Sequence, residues 1–399
     1  MNKESAIRNL RSAIAIIGGG PAGSSVAIRL ARSGLDVTII EKEKFPRPKL
    51  CGEFISPECM RHFEDIGVVH ELLGSGGESI RETLFFDRYG RSIVVPSAWF
   101  GGNGNALSLS RARMDDLLLQ AAKNAGVNVI ENATATRVTM RDGIVDELFF
   151  RNETGADAAI QANIFIDATG RSSVMRKLVR RTTASSSRKV HRSPHVAFKA
   201  HFRAPNVDRN RCEIYSFVGG YGGLSPVEDG LANLCFVVDS ATTRLHGGDP
   251  ETIVREVVCT NPQAATTLKN SETEGEWIAV AIQGFGRNEL QPAANVFPVG
   301  DAASFIDPFT GSGILMSLES SEVLAKCILA PGASHRLIGA AYEEEYRKRF
   351  SARLRLCSIL RQAAFQPWLA TTAISLLGTS TFAREYLARS TRGGNRNTN

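Results

Sequence analysis

A short apolar run that leads directly into a glycine-rich turn sets the first limit on the fold. Residues 13–17, Ala-Ile-Ala-Ile-Ile, are typical of a buried parallel strand. The turn carries the pattern G-x-G-x-x-G at Gly18, Gly20 and Gly23. Apolar residues at helical spacing follow up to Ser33, and residues 36–40 form a second strand-like run that ends at Glu41. This order predicts a β-α-β unit of a parallel sheet.

Each glycine of the turn has a physical role in binding a dinucleotide. Gly18 permits the tight turn, Gly20 lets a pyrophosphate approach bare backbone, and Gly23 lets the helix pack closely on the strand. The helix N-terminus offers free N–H groups to the phosphates. Glu41 lies where a carboxylate accepts the ribose hydroxyls. The predicted binding positions are Gly18, Gly20, Pro21, Ala22, Gly23, Glu41 and Lys42, and the pattern does not distinguish NAD from FAD.

Composition limits the other classes of function. The net charge of +6 comes from 47 basic and 41 acidic residues, a dispersed excess that does not predict nucleic-acid binding. The seven cysteines contain no C-x-x-C pair and the seven histidines no metal-ligand spacing, so we predict neither a disulfide framework nor a metal site. No run has the length of a membrane span or a signal-peptide core. We therefore expect a cytoplasmic protein.

Strands that end in Gly/Asp turns recur far apart in the chain, at residues 164–170 and 296–301. Runs with alternating apolar residues lie between them. This organisation predicts an α/β fold (α+β overall), with a Rossmann-like nucleotide-binding domain, an inserted and mainly antiparallel substrate domain, and C-terminal helices. The predicted ranges are 1–80, 105–180 and 285–335 for the nucleotide-binding domain, 81–104 and 181–284 for the substrate domain, 336–392 for the helices, and 393–399 for a disordered tail.

Four separated motifs together resemble one superfamily of flavoproteins. They are residues 18–23, Arg111-Ala-Arg-Met-Asp115, Asp167-Ala-Thr-Gly170 and Gly300-Asp301-Ala-Ala. Their order over residues 12–330 is similar to that of the p-hydroxybenzoate-hydroxylase-like superfamily, which includes aromatic hydroxylases, flavin-dependent halogenases and geranylgeranyl reductases. The resemblance implies non-covalently bound FAD in a domain of the GR2 type.

The resemblance also implies roles for individual residues. Arg111 reaches the FAD pyrophosphate, Asp301 binds the ribitol hydroxyls, and the helix after Gly313 points its N-terminus at the pyrimidine end of the flavin. A helix N-terminus stabilises the negative charge of reduced flavin near N1. The further cofactor-binding positions predicted on this basis are Arg47, Cys51, Gly52, Ala135, Asp167, Gly170, Pro308, Gly311 and Ile314.

Two segments bear on the reaction. Residues 46–53 are similar to the Cys-Gly segment of geranylgeranyl reductases, which makes Cys51 and Glu53 candidate proton donors, although a small buried thiol is an equal alternative for Cys51. Residues 219–226 resemble the segment that closes the substrate pocket, with Tyr221 as a candidate catalytic residue. Gly223 stands where a tryptophan is expected, which predicts a wider pocket. The halogenase signature Trp-x-Trp-x-Ile-Pro is absent from the sequence.

Two positions and one basic cluster bear on the electron donor. Hydroxylases that take hydride from NADPH usually have Asp-Gly where this chain has Thr169-Gly170, and many carry a histidine at the position of Ser304. These departures argue against direct reduction, so NADPH or NADH is expected as donor either directly or through a partner reductase. A basic cluster near Ser185–Ser187 suits a cofactor phosphate, a carrier protein or a reductase, or is a solvated loop. Its members are Arg176, Lys177, Arg180, Arg181, Arg188, Lys189 and Arg192.

The C-terminal helices are basic and carry large apolar residues such as Phe365, Trp368 and Leu376. Peripheral contact with a membrane and packing across the flavin domain both suit such a face. For the whole chain the sequence favours a monooxygenase that acts on an apolar aromatic, polyketide-like or isoprenoid molecule. The alternative is a geranylgeranyl-reductase-like enzyme that reduces C=C bonds of a prenyl lipid. A halogenase and an electron-transfer flavoprotein are weaker alternatives.

Overall fold

The computed structural model describes residues 8–101, 104–183, 194–282, 285–306 and 311–391. Its strands are β1 Arg8–Ile17, β2 Val37–Ile40, β3 Phe54–Ile55, β4 Glu78–Ile80, β5 Glu82–Phe86, β6 Ser92–Pro96, β7 Ala106–Ser108, β8 Asn128–Ile130, β9 Thr134–Arg141, β10 Ile144–Arg151, β11 Asp157–Asp167, β12 His195–Arg203, β13 Arg211–Phe217, β14 Gly220–Pro226, β15 Leu231–Asp239, β16 Glu272–Ile282, β17 Gly286–Arg287, β18 Val296–Pro298 and β19 Ser304–Phe305. Its α-helices are α1 Pro21–Arg32, α2 Cys59–Asp65, α3 Val69–Leu73, α4 Arg111–Asn124, α5 Val174–Thr183, α6 Ser240–Leu245, α7 Pro250–Glu256, α8 Pro262–Thr267, α9 Gly313–Ile328, α10 His335–Ala364, α11 Pro367–Gly378 and α12 Thr381–Ser390.

The first sheet has a parallel centre, in the order β8-β2-β1-β11, with β18 also paired to β11. Strands β10 and β9 extend it in antiparallel pairing. Ile14 and Ile16 on one face of β1 and Ala15 and Ile17 on the other are all buried, which explains the continuous apolar run. The predicted α/β class is confirmed.

The register of this sheet brings the separated motifs together. Ile17 pairs with both Ile40 and Asp167, and Asp167 pairs with Pro298. Four parallel strands therefore end at one edge, where open α/β sheets bind their ligands. The glycine-rich turn, Glu41, residues 168–170 and residues 299–301 all follow at that edge.

The second sheet has the order β16-β12-β15-β14-β13-β5-β6, with β13 and β5 as its parallel pair. Its strands lie within residues 82–96 and 195–282. On β12, Phe198 and Phe202 face an apolar core that includes Ile253 of α7, whereas Lys199 and His201 occupy alternate positions on the opposite face. That opposite face is turned toward the edge of the first sheet at which the parallel strands end, since Lys199 contacts Lys49 and Glu53.

The C-terminal helices complete the molecule. Helix α10 packs on α9 through Tyr342, Tyr346 and Phe350, which are fully buried, and Arg353 pairs with Glu319. Helices α11 and α12 fold back over β6 and β13. Within the described ranges, no helix combines the length and apolar content needed to cross a bilayer.

Candidate functional site

A cavity of about 800 Å³ lies between the two sheets and is covered by the C-terminal helices. It has a polar cleft along the edge of the first sheet and an apolar chamber beneath α11 and α12. The predicted positions that line it are Gly18, Gly20, Pro21, Ala22, Glu41, Lys42, Arg47, Cys51, Gly52, Glu53, Arg111, Ala135, Gly170, Tyr221, Asp301, Gly311, Gly313 and Ile314. Pro308 lies outside the described residues, as do Arg188, Lys189, Arg192 and residues 393–399.

The glycine-rich turn leaves room for a phosphate group at one position only. A Cβ on Gly18 would lie 2.5 Å from the Ala168 oxygen, and one on Gly23 would lie 1.9 Å from the Gly18 oxygen. These two glycines are needed for packing. A Cβ on Gly20 would instead meet only the guanidinium groups of Arg111 and Arg47, at 3.8 and 4.0 Å. The open backbone of Gly20 therefore faces two cations.

Asp115 holds these cations in place. Arg111 donates two hydrogen bonds of 2.7 Å to the Asp115 carboxylate, and Arg47 Nη1 lies 3.5 Å from it. Burial acts to lower the pKa of Arg111, but Asp115 and the Cys51 thiol raise it above its usual value. Among the described residues, the buried Arg47 Nε has no hydrogen-bond partner. A diphosphate between Gly20, Arg47 and Arg111 would supply one and would match the positive charge.

Glu41 and Asp301 lie at opposite ends of this cationic centre. The Glu41 carboxylate accepts hydrogen bonds from the amides of Gly19 (2.7 Å) and Glu43 (3.0 Å), which fix its orientation in the cavity wall. Burial raises the pKa of Asp301, and the charges of Lys49 and Arg111 oppose that rise. A ribose suits the first carboxylate and a polyhydroxyl chain the second.

Lys49 and Arg171 complete the cleft. From the sequence, Lys49 is either a solvated charge or an anion contact, whereas Arg171 was not predicted, because a lone basic residue in a loop has no distinctive pattern. Lys49 Nζ lies 3.6 Å from the position of a Cβ on Gly170. Burial and the neighbouring Arg111 and Arg47 lower the pKa of Lys49 to about 8. Burial also lowers the pKa of Arg171, which the charge of Asp301 opposes.

The residues at this edge fit FAD. The diphosphate would lie on Gly20, Arg47 and Arg111, the adenosine ribose on Glu41, and the ribityl chain on Asp301. The α9 N-terminus has no side-chain cap and no acidic residue in its first turn, as an anionic flavin ring requires. FAD bound there supplies two-electron redox chemistry.

FAD affinity should depend on pH through Lys49. An anionic cofactor raises the pKa of this amine from about 8, so binding takes up a proton above that pH. The Kd of FAD should therefore rise by up to about tenfold for each pH unit above 8. Fluorescence titration of apoprotein between pH 6 and 10 measures this. Lys49→Met should bind FAD more weakly and with a flat profile above pH 8, and an unchanged slope would contradict the assignment.

Asp167 and Gly23 act behind the cleft and do not line it. The Asp167 carboxylate accepts hydrogen bonds from the Thr169 amide, the Thr169 hydroxyl and the Met175 amide. It therefore fixes the turn into α5 and the backbone of Gly170. Burial raises the pKa of Asp167, and these hydrogen bonds oppose the rise. The sequence predicts a direct contact between Asp167 and the cofactor. In the structure Asp167 lies behind the cleft and acts only through the backbone of the turn that it holds.

Glu53 is held in a buried ionic network. Its carboxylate pairs with Lys199, lies 2.7 Å from His201 Nε2, and accepts a 2.7 Å hydrogen bond from the Arg111 amide. Burial acts to raise the pKa of Glu53, but His201 and Lys199 lower it below its ordinary value. The carboxylate is ionised and has no proton to donate. The geometry therefore replaces the proposed acid role of Glu53 with a positioning role.

Cys51 lies directly over the cleft. Its carbonyl accepts a 2.9 Å hydrogen bond from Asn233, and its thiol lies beside the Arg111 guanidinium. Lys199 also donates a 3.1 Å hydrogen bond to the carbonyl of Lys49. Side chains of the second sheet thus anchor residues 49–53 at two carbonyls and one carboxylate.

The chamber is almost entirely apolar. Its walls include Phe85, Val95, Ile214 and Ile282 from the second sheet and Ile374 from α11. Tyr221 stands between chamber and cleft with its ring 5.4 Å from that of Phe365. Ile214 takes up part of the space beside Gly223, since a Cβ there would lie 2.7 Å from it.

Among the described residues, Arg384 is the one cation that lines the chamber away from the cleft. Its buried Nε has no hydrogen-bond partner there. Across the described ranges, no group of three His, Cys, Asp or Glu residues could hold a metal ion. The chamber therefore suits a large apolar molecule that carries a polar group.

Known proteins share this architecture. The chain is 25% identical over 382 residues to a menaquinone reductase of Mycolicibacterium smegmatis, covering 90% of this chain and 86% of that protein. It is 26% identical over 354 residues to the flavin-dependent halogenase armH3 of Armillaria mellea, covering 80% and 68%. PqsL of Pseudomonas aeruginosa, a probable FAD-dependent monooxygenase, has the same fold, with a TM-score of 0.72, 18% identity and coverage of 92% and 100%.

A family model for the FAD binding domain matches residues 11–355. The match includes the glycine-rich turn, Arg111, Asp301 and both sheets. The resemblance to the p-hydroxybenzoate-hydroxylase-like flavoproteins is thereby confirmed. The chain belongs to the FAD binding domain family and is an FAD-dependent oxidoreductase.

Proposed function

We propose that the protein reduces a C=C bond in an elongated apolar molecule of the prenyl-lipid type. The observation that carries this proposal is the apolar chamber, which opens onto the cleft beside Cys51 and Tyr221. A relative named for its action on menaquinone, a prenylated quinone, aligns with 90% of this chain. The Nε–H of Arg384, which has no hydrogen-bond partner among the described residues, would donate to a polar group, such as a carbonyl oxygen, at the end of such a molecule.

Reduction of a C=C bond needs a hydride and a proton. FAD bound in the cleft would supply the hydride equivalent, and NADPH, NADH or a partner reductase would restore its reduced form. Cys51 is our candidate for the proton donor because its thiol lines the cleft beside the Arg111 guanidinium. Cys235 also lines the cavity, but burial raises the pKa of its thiol to about 12. It is therefore a poor acid.

Monooxygenation is the second candidate. The sequence favours it, and the chamber offers the dry surroundings that oxygen transfer to an apolar ring requires. The shared fold with PqsL supports the same possibility only at the level of the fold. We place monooxygenation second because oxygen transfer does not need the Cys51 thiol that lies beside the Arg111 guanidinium.

Product analysis decides between the two candidates. The purified holoenzyme is mixed anaerobically with NADPH or NADH, or reduced with dithionite, in the presence of menaquinone-type prenyl lipids and of aromatic compounds. A product with two added hydrogens, formed without oxygen, supports reduction. A product with one added oxygen, formed only after air is admitted, would overturn it in favour of monooxygenation.

Cys51→Ala should reduce turnover of a prenyl lipid by about 10²- to 10⁴-fold, the usual contribution of a positioned acid. The flavin should still be reduced by dithionite at the wild-type rate, because hydride supply does not use the thiol. Cys235→Ala is the matched control and should keep most of the activity. Equal loss in both variants would mean that Cys51 only fills space.

A further inference from the structure

The outer face of the C-terminal helices is unusually apolar. Of the twelve exposed large apolar residues in the described chain, five lie within residues 359–386. They are Ile359, Trp368, Leu376, Phe382 and Tyr386, each between 62% and 79% exposed. The rings of Phe382 and Tyr386 stack on each other on the outside of α12. We call these five residues the apolar patch.

The helices that carry the apolar patch also form the roof of the chamber. Ala370, Ala373, Ile374 and Leu377 of α11 line the cavity with the spacing of one helix face, and Leu387 and Ala388 of α12 continue it. Helix α11 contains no charged residue. One helical layer therefore separates the chamber from the surface, with apolar side chains on both sides.

The charge of this region is strongly positive. Residues 335–399 contain eleven basic and four acidic residues, a net charge of +7, whereas the whole chain carries +6. The remaining 334 residues thus have a net charge of −1. Arg355 is exposed one turn before Ile359 on α10. Arg389 is exposed three residues after Tyr386 on α12 and pairs with Glu385 at 2.6 Å. Cations therefore border the apolar patch.

We propose that α11 and α12 dock on an anionic lipid bilayer, and that an apolar substrate enters the chamber between them. Aromatic and aliphatic side chains beside basic residues are what an interfacial helix presents to a membrane. A second copy of the chain is a poorer occupant, because pairing the patches would bring two regions of like charge together. The docking does not depend on which reaction the flavin performs. Only the route of entry rests on the proposed function.

Flotation of the FAD-loaded protein with vesicles tests the docking without any substrate. The protein should float with vesicles of phosphatidylcholine and phosphatidylglycerol and much less with phosphatidylcholine alone. High salt should release part of it, because screening weakens the attraction of the cations to the anionic headgroups. No flotation with either vesicle would overturn the proposal.

Two variants locate the contact. Trp368→Ser combined with Phe382→Ser should weaken partitioning by at least about tenfold, because two large apolar side chains no longer enter the lipid. Leu245→Ser is the matched control, since Leu245 is 82% exposed on α6, and it should bind like the wild type. Wild-type flavin absorbance in the double variant shows that it is folded. Unchanged flotation of the double variant would overturn the assignment.

Size-exclusion chromatography with light scattering tests whether the apolar patch is instead a contact between two copies of the chain. A wild-type dimer that the double variant converts to a monomer would assign the apolar patch to a contact between copies and overturn the lipid proposal. A monomer in both cases supports the proposal. Failure to find a reduced prenyl product would leave vesicle binding untouched, so the two proposals fail separately.

Discussion

Gly23→Ala should yield a colourless protein that no longer retains FAD. A methyl group on residue 23 would lie 1.9 Å from the carbonyl oxygen of Gly18 and 3.0 Å from its carbonyl carbon. Both contacts are with backbone, so no side chain can rotate away. The helix must shift, which displaces the α1 N-terminus and the backbone of Gly20 from the diphosphate position. Overpacking of this kind costs about 1–3 kcal/mol or more, and a loss of that size in FAD binding corresponds to a rise in Kd of about 5- to 150-fold or more.

The control for this variant is Gly378→Ala, near the end of α11. A methyl group there would approach only Ile93 Cγ2, at an ordinary distance of 3.9 Å. Alanine is the better helix former at both positions, so a difference between the variants cannot come from helix propensity. The flavin-to-protein absorbance ratio after gel filtration and the Kd from fluorescence quenching measure the effect. A Gly23→Ala protein that retains full flavin would show that the close approach can relax.

The sequence was most informative where chemistry requires a local pattern. The turn at residues 18–23 and its flanking strands could be predicted because glycines, apolar runs and a terminal carboxylate each have a fixed place in the unit. Helix α4 begins at Arg111, because the Ser110 hydroxyl accepts a hydrogen bond from the Arg113 amide and caps the first turn.

The contacts between distant strands could not be predicted in this way. Lys199 and His201 look like ordinary polar residues of a strand, and their partner Glu53 lies almost 150 residues earlier. Only the packing of the second sheet on residues 49–53 makes them a network. The antiparallel hairpin of β9 and β10 was also not foreseen, because its outward residues are mixed in character and only its pairing with β11 defines its place. The chamber likewise depends on how α11 and α12 fold back, which no local pattern specifies.

Lys199→Met should destabilise the protein by about 3–5 kcal/mol, the usual cost of removing one partner from a buried ion pair. Lys199 is 2% exposed and Glu53 is fully buried, so the carboxylate would lose its ammonium partner without gaining solvent and would keep only His201 and the Arg111 amide beside it. Adding Glu53→Gln to Lys199→Met should restore part of the loss, because the amide carries no charge to compensate. Denaturant unfolding of the FAD-loaded proteins, monitored by circular dichroism, measures each value.

The matched control lies on the same strand. Arg203 of β12 pairs with Glu274 at 2.9 Å, but both side chains are about half exposed. Arg203→Met should leave the unfolding midpoint within experimental error, because water screens an exposed pair. A similar loss in both variants would mean that burial does not strengthen the Lys199–Glu53 pair.

The pH dependence gives an independent check on the same network. The pKa of Glu53 lies below 4.5 in the folded protein, so its pairing stabilises the fold above that pH and is lost as the pH falls through the folded pKa. The difference between the wild type and Lys199→Met should therefore be constant near neutral pH and shrink below 4.5. Because Glu53 also fixes the Arg111 amide, the variant should bind FAD more weakly at neutral pH even where it remains folded. A difference in stability that persists unchanged at pH 3 would show that Lys199 acts by packing and not by charge.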